Sequence, residues 1–250
     1  MADTSPYLSV VIPAYNEAHR LRRTLPHAVD FLRTQGFSFE ILVVDNGSTD
    51  ATLEVVRELA RHYPEIRPLH TPLRGKGRAV KMGMLAARGT YRFLADADWS
   101  MPVEEILRFL PPQAPEGDIL IGSREAPGAV RYHEPWYRHL IGRVFNWMVQ
   151  LLALPGIRDS QCGFKCFRGD VAERIFPCQR LTGMSFDVEV LFIARRLGYR
   201  IVEVPISWYF DPDSRVRLVQ DSLRMAWELL TIRWNAWRGR YEPPCAHLGT

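Results

Sequence analysis

The sequence predicts an α/β fold: a mainly parallel central sheet with helices on both faces and a helical extension at the C-terminus. Three observations lead there. Short apolar, β-branched runs alternate with amphipathic stretches through the first half, the order that builds parallel βαβ units. Four of those runs end in polar residues, Tyr15-Asn16-Glu17, Asp45-Asn46-Gly47, Asp96-Ala97-Asp98 and Ser123-Arg124, and open α/β sheets bind ligands beyond the carboxyl ends of their strands. The 250 residues are 47% hydrophobic and 24% charged, which supplies a large core and excludes a disordered chain.

In order along the chain, "LSVVIPA" from Leu8 to Ala14 reads as a buried strand, followed by a helix from about Glu17 to Arg33. "FEILVV", Phe39 to Val44, is a second strand, and "STDATLEVVRELARHY" a helix capped by Ser48, Thr49 or Asp50. A short strand near Ile66 to His70, a Gly-bounded helix from Gly77 to Arg88, a strand running to Asp96 and "DILIG" from Asp118 to Gly122 complete the regular part. Beyond Glu125 a loop carries Pro127 and Gly128, and a Trp-rich helix near Trp136 to Ala153 is expected to pack its aromatic residues in the core. The compact segment "RDSQCGFKCF" follows, and helices near Asp187 to Leu197 and Leu218 to Trp237 flank the strand "YRIVEVPISWYF". One unit over residues 1–215, divisible near residue 124, and an amphipathic helix and tail over 216–250 account for this order.

Composition narrows the function. No window reaches the roughly 18–20 apolar residues that cross a bilayer; the nearest, Val144 to Ile157, is broken by Asn146, Gln150 and Pro155. The N-terminus lacks a secretory pattern, so the expected place is the cytoplasm, peripheral on the inner face of the membrane. Cys162, Cys166, Cys178 and Cys245 have no zinc spacing and are expected to be reduced, structural thiols. Net charge is only +4, with arginines scattered and lysine at Lys76, Lys81 and Lys165 alone, which argues against nucleic acid and suits phosphate recognition.

Asp96 and Asp98 share one side if their strand persists, and two hard carboxylates suit Mg²⁺ or Mn²⁺; the alternative is a helix cap before Pro102. Asp45 can accept hydrogen bonds from a base or ribose, or close an Asx turn. "RGKGRA", Arg74 to Ala79, sets Lys76 and backbone N–H groups at a helix start, which suits a diphosphate. Leu223, Trp227, Leu230, Trp234 and Trp237 fall on one helical face beside Arg224, Arg233, Arg238 and Arg240, a pattern able to lie in a headgroup layer.

"SVVIPAYNEAHRL", "VVDNGSTDAT", "RGKGRAVKMGMLAARGTYRFLADADWS", "GSRE" and "RDSQCGFKCF", in that order, resemble the family-2 glycosyltransferases, in particular the polyprenyl (dolichyl)-phosphate glucosyltransferase and mannosyltransferase group. The likeness runs from about Ser9 to Trp234, and "IRDSQCGFK", "FDVEVLFIARRLG" and "VEVPISW" look like the glucosyl branch. The resemblance implies a GT-A type, Rossmann-like nucleotide-sugar fold, with the donor half at about 1–124 and the acceptor half at about 125–215. It implies that Pro13, Tyr15 and Glu17 border the nucleotide, that Asp45 contacts uridine and that Lys76 lies near the donor. Asp96 and Asp98 match the DxD element that bridges to the diphosphate through metal. Trp99-Ser100 stands where relatives carry a small residue or a metal-binding Gln, which puts Ser100 as a ligand in doubt.

The implied reaction is inverting, metal-dependent transfer of a hexose, glucose from UDP-glucose, to a polyprenyl phosphate. Arg124 and Arg138 match positions implicated in binding the acceptor phosphate, with Arg131 and Arg215 as weaker candidates and surface salt bridges as their alternative. Asp159 could orient an arginine or Lys165, meet a donor hydroxyl or act as base; Asp187 and Glu189 could serve similarly, with a structural ion pair to Arg195 or Arg196 as the alternative for Glu189. A hydroxyl acceptor and a catalytically silent nucleotide-sugar-binding protein are the rival readings. Whether the chain forms a homodimer or meets a separate membrane partner is open from sequence.

Overall fold

The computed structural model describes residues 5–133, 135–210 and 218–242, without the side chains of Tyr137, Arg138 and residues 218–223. The elements run β1 (Leu8–Ala14), α1 (Ala18–Arg33), β2 (Phe39–Asn46), α2 (Thr52–His62), β3 (Ile66–Thr71), α3 (Lys76–Ala86), β4 (Tyr91–Leu94) and β5 (Ile119–Ser123). Then come β6 (Val130–Tyr132), α4 (Trp136–Leu152), β7 (Lys165–Arg168), α5 (Gly169–Ile175), α6 (Phe186–Arg196), β8 (Ile201–Pro205), β9 (Ser207–Tyr209) and α7 (Leu218–Trp237). Seven strands form one sheet in the order β3-β2-β1-β4-β7-β5-β8. All its pairings are parallel except those of β7, antiparallel to both β4 and β5. A parallel pair of β6 and β9 forms a second, small sheet in which Tyr132 and Tyr209 stack at 4.5 Å.

The period-2 alternation of the strands divides the core in two. Val11, Leu42, Val44, Leu94, Ile119 and Phe167 face the side covered by α3, α5 and α6, with α4 and α7 beyond. Val10, Ile12, Ile41, Val43, Phe93 and Leu120 face α1, α2 and a 3₁₀ turn at Val103–Phe109. The strand order reverses between β1 and β4, so their carboxyl ends open a crevice at a topological switch point.

Several expectations are corrected. "RDSQCGFKCF" holds a buried antiparallel strand, β7, and "YRIVEVPISWYF" is two strands in two sheets. α2 begins at Thr52 with Ala51 at its N-cap. Ser48 and Thr49 serve the β1–α1 loop instead: Ser48 Oγ accepts from Asn16 N at 2.9 Å and Thr49 N donates to Asn16 Oδ1 at 2.7 Å. Asp50 serves both loop and helix, its Oδ2 accepting from Ala18 N at 3.3 Å and its Oδ1 from Thr52 N, the first of α2, at 3.0 Å. Asn16, at φ 55°, tolerates this left-handed turn through its local hydrogen bonds. Cys178 is disulfide-bonded, contrary to the reduced state expected, whereas Cys162 and Cys166 are free and buried.

α4 does not keep its aromatic residues inside. Phe145 and Val149 enter the core, while Trp136, Leu140, Val144, Trp147 and Leu151 are exposed at helical spacing. α7, packed beside it, is likewise divided. Met225, Leu229, Ile232 and Ala236 are buried, and Trp227, Leu230, Trp234 and Trp237 face outward. Leu223 belongs to the side chains outside the description. No described helix is long and apolar enough to cross a membrane.

Candidate active site

β4 ends at Leu94, although the Ala95 N–H still donates to Val11 O at 3.0 Å. Asp96 and Asp98 therefore lie past the strand, in a turn closed by Trp99 N donating to Asp96 O at 3.2 Å with Trp99 at φ 47°. The strand does not persist, so a turn, the other arrangement the sequence allowed, rather than a shared strand face carries both carboxylates. Asp96 presses against Gly163, where a Cβ would sit 1.8 Å from its Oδ2. Its Oδ1 meets Lys76 Nζ at 2.6 Å. Burial opposes the ionised form of Asp96, but Lys76, Lys165 and Arg124 outweigh it and hold the carboxyl below its ordinary value. Burial likewise works against the Lys76 ammonium and is overcome by Asp96, Asp187 and Asp98, which raise its pKa.

Two more buried pairs complete the centre. Lys165, fully buried on β7, donates to Asp187 Oδ1 at 2.6 Å and to Cys162 O. Asp159, 5% exposed, receives Arg124 through its backbone N–H at 3.0 Å, Nε at 2.7 Å and Nη2 at 2.9 Å. The planar fork meets the carboxylate on both oxygens. Burial would raise Asp159, yet Arg124 and Lys165 hold it below the usual carboxylate range. Glu203 on β8 fixes this segment by accepting from Asp159 N at 2.9 Å. Asp98 stands apart in its pairing: burial first, then Asp96, push its pKa up, as burial also does for Asp187, but apart from the Ser100 N–H at 3.0 Å on Oδ1 no partner is shown for Asp98 among the described residues.

The other candidates are placed less directly. Pro13 lies in β1, buried. Tyr15 sits under the Arg74 guanidinium at 4.3 Å, and Glu17 pairs with Arg20 at 2.9 Å. Asp45, inside β2, already meets His70 Nδ1 at 2.7 Å and Ser48 N at 3.3 Å. It is an Asx-type brace whose partner His70 stands opposite it on β3. Arg131 donates to Arg124 O at 3.1 Å and pairs with Glu125, an internal brace rather than a surface bridge. Arg138 lies on α4 with its side chain outside the description, and Arg215 is outside the described residues.

Two of the N–H groups at the start of α3, which the sequence suggested for an anion, are already engaged. Thr182 O accepts from Gly77 N at 3.0 Å and Arg78 N at 3.4 Å, and the Lys76 side chain is the cation of that turn that meets Asp96. Glu189 does not pair with Arg195 or Arg196; it binds Tyr241 and two backbone N–H groups. Sequence reasoning missed His70 and Asn46. Asn46 donates to Ala14 O at 2.6 Å and accepts from Gly75 N at 3.1 Å, tying β1 and β2 to the Lys76 turn. The DN pair at a strand end was the available signal. Two cavities of about 320 and 370 Å³, around Arg195 and Tyr199 and around Arg88 and Arg168, lie away from these carboxylates.

A divalent ion fits the donor set. Four carboxylates, Asp96, Asp98, Asp159 and Asp187, face three cations, Lys76, Lys165 and Arg124, and a cation would offset the surplus at Asp98. No group of three His, Cys, Asp or Glu is assembled among the described residues. An ion held by one or two carboxylates and completed by substrate phosphate and water needs no larger cluster.

Comparison with known proteins agrees with this geometry. The sequence profile of glycosyl transferase family 2 matches residues 9–176. Dolichyl-phosphate beta-glucosyltransferase of Dictyostelium discoideum is 36% identical, over 92% of this chain and 74% of its own length. The enzymes of that name from Saccharomyces cerevisiae and Homo sapiens are each 33% identical, over 96% and 92% of this chain and 78% and 77% of theirs. Glucosyl-3-phosphoglycerate synthase of Mycobacterium tuberculosis, crystallised with Mn²⁺, UDP and glucosyl-3-phosphoglycerate, superposes with a TM-score of 0.65 at 19% identity. It covers 92% of this chain and 79% of its own, a likeness of GT-A fold. A switch-point crevice lined by an acidic turn, with family motifs over two thirds of the chain and close relatives over nine tenths, makes this chain an enzyme of glycosyltransferase family 2.

Proposed function

We propose that the enzyme transfers glucose from UDP-glucose to a polyprenyl phosphate, inverting the anomeric carbon. One observation carries the choice of acceptor: among the described residues every carboxylate of the centre except Asp98 is bound by a cation. A hydroxyl acceptor needs a general base, and Asp159, held on both oxygens by Arg124 and kept below its ordinary pKa, is a poor one. A phosphate is already ionised near neutral pH and needs cations to receive it, which Arg124 and its neighbours supply.

In this reading Asp98, with Asp96 in support, would hold Mg²⁺ or Mn²⁺, which neutralises the charge on the departing diphosphate. Lys76 adds a fixed cation on the donor side. A phosphate oxygen forms the new bond to C1 on the face opposite UDP. The C1–oxygen bond breaks and its electron pair leaves on the diphosphate. Asp159 orients Arg124 toward the incoming phosphate and gives up no proton.

The exposed Trp and Leu residues of α4 and α7 support work at a lipid surface. Tryptophan favours the headgroup level, and the exposed charges described on both helices, Arg143, Arg224 and Arg233, are all basic, as anionic lipid requires. The test supplies purified protein with UDP-glucose, Mg²⁺ or Mn²⁺, and a short polyprenyl phosphate or the corresponding alcohol. Glycolipid is expected from the phosphate alone. Product from the alcohol, or none with any UDP-sugar, rejects the acceptor assignment.

A further inference from the structure

Lys76 sits between two glycines that leave no room for side chains. A Cβ on Gly75 would lie 2.6 Å from Thr182 O, and one on Gly77 2.7 Å from both Leu181 O and Phe186 Cβ. The segment 179–183 thus fixes the backbone on either side of the lysine. Beyond the Thr182 carbonyl that caps α3, Gln179 Nε2 donates to Gly77 O at 2.7 Å. Lys81, one turn into α3, donates to the carbonyls of Pro177 at 3.0 Å and Gln179 at 2.8 Å.

What holds that segment is a carboxylate outside the cluster of charged pairs. Glu189 on α6 accepts from Arg180 N at 2.9 Å and Leu181 N at 2.7 Å with Oε2, and from the Tyr241 hydroxyl at 2.6 Å with Oε1. Glu189 is fully buried and Tyr241 1% exposed. Asn235 on α7 donates to the Tyr241 oxygen at 3.3 Å, and its own Oδ1 accepts from Arg240 at 3.0 Å. A buried carboxylate costs several kcal/mol of desolvation, roughly, unless fully hydrogen-bonded, and an apolar residue would stabilise the core more simply. What this carboxylate adds is a connected hydrogen-bond network, in which both of its own oxygens are engaged. It leads without a gap from the C-terminal helix to the turn that carries Lys76.

We propose that Glu189 and Tyr241 are positioning residues for donor binding. They hold segment 179–183, and through it Gly75-Lys76-Gly77, in place against the donor diphosphate. The inference rests on the nucleotide-sugar reading above, but not on the identity of the acceptor.

The experiment titrates UDP calorimetrically into wild type, Tyr241→Phe, Glu189→Leu and Glu189→Gln, with thermal melts and donor and acceptor KM measured alongside. Tyr241→Phe and Glu189→Leu are expected to weaken UDP binding and raise donor KM about tenfold, the effect of one lost hydrogen bond to a charged acceptor, with acceptor KM unchanged. Glu189→Gln keeps a carbonyl oxygen for the Arg180 and Leu181 N–H groups and is expected to recover most of the affinity. A lowered melting temperature with unchanged UDP affinity overturns the proposal, because a purely structural role predicts that. Should Glu189→Leu fail to fold, Tyr241→Phe decides, since it removes one hydroxyl and keeps the ring. Wild type that binds no UDP overturns the donor reading and this inference together, whereas failure to make glycolipid leaves the inference standing on its UDP data.

Discussion

A methyl group on Gly163 would come 1.8 Å from Asp96 Oδ2, so glycine there is a condition for where that carboxylate lies. Gly163→Ala is expected to push Asp96 off Lys76 and lower donor turnover about a hundredfold, the scale of an ångström's misplacement at a reacting centre. An unchanged far-UV spectrum would accompany it, and undiminished turnover would show that Asp96 has another workable position. Asp159→Ala takes from the Arg124 guanidinium, 22% exposed, the carboxylate that binds it on both oxygens. About 3 kcal/mol of stability should be lost in denaturant titration, the cost of breaking a buried pair. The Cys162 thiol is pushed up to about 12 by burial and by Asp159, and Cys166 is raised by burial alone. A raised thiol pKa means the reactive thiolate is scarce at any lower pH. Iodoacetamide at pH 8 should leave both unmodified in the native protein and label both after unfolding, as mass spectrometry would read.

At the scale of the element, α7 carries two apolar faces with opposite consequences. Leu229 is fully buried, so Leu229→Ala should cost about 2–5 kcal/mol. Trp227 and Trp237, 71% and 77% exposed, contribute little to folding. Their joint replacement by Ser should leave the melting temperature nearly unchanged while weakening sedimentation with anionic vesicles severalfold. Unaltered vesicle binding would dismiss this face as the lipid contact. The start of α3 shows why an element's ends resist reading from sequence. "RGKGRA" signals a Gly-bounded turn and a cation, both correct. The partner of its orphan N–H groups, Thr182 O, lies a hundred residues away, and no local pattern encodes it.

Across the whole molecule, β7 joins what sequence order separates. It inserts between β4 and β5, and so brings Lys165 between the turn of Asp96 and the Arg124–Asp159 pair, lowering both carboxyls. A fragment of residues 1–124 lacks β7, and with it the ladder linking β4 to β5. It should therefore fail to give a cooperative unfolding transition by circular dichroism; a sharp transition would mean that the first half folds alone.

The sequence by itself determined the βαβ order, the polar residues at the strand ends and the family. Each of these rests on local signals: runs of β-branched residues at Leu8–Ala14 and Phe39–Val44, and short motifs such as "DAD" and "RGKG". Only the tertiary structure decided which cation each carboxylate meets, that β7 runs antiparallel, and that the tryptophans of α4 face outward. Ion pairing and burial are set by residues distant in the chain. A strand's direction depends on which edge it finds, and a helix with apolar residues on two faces does not say which of them the core will take.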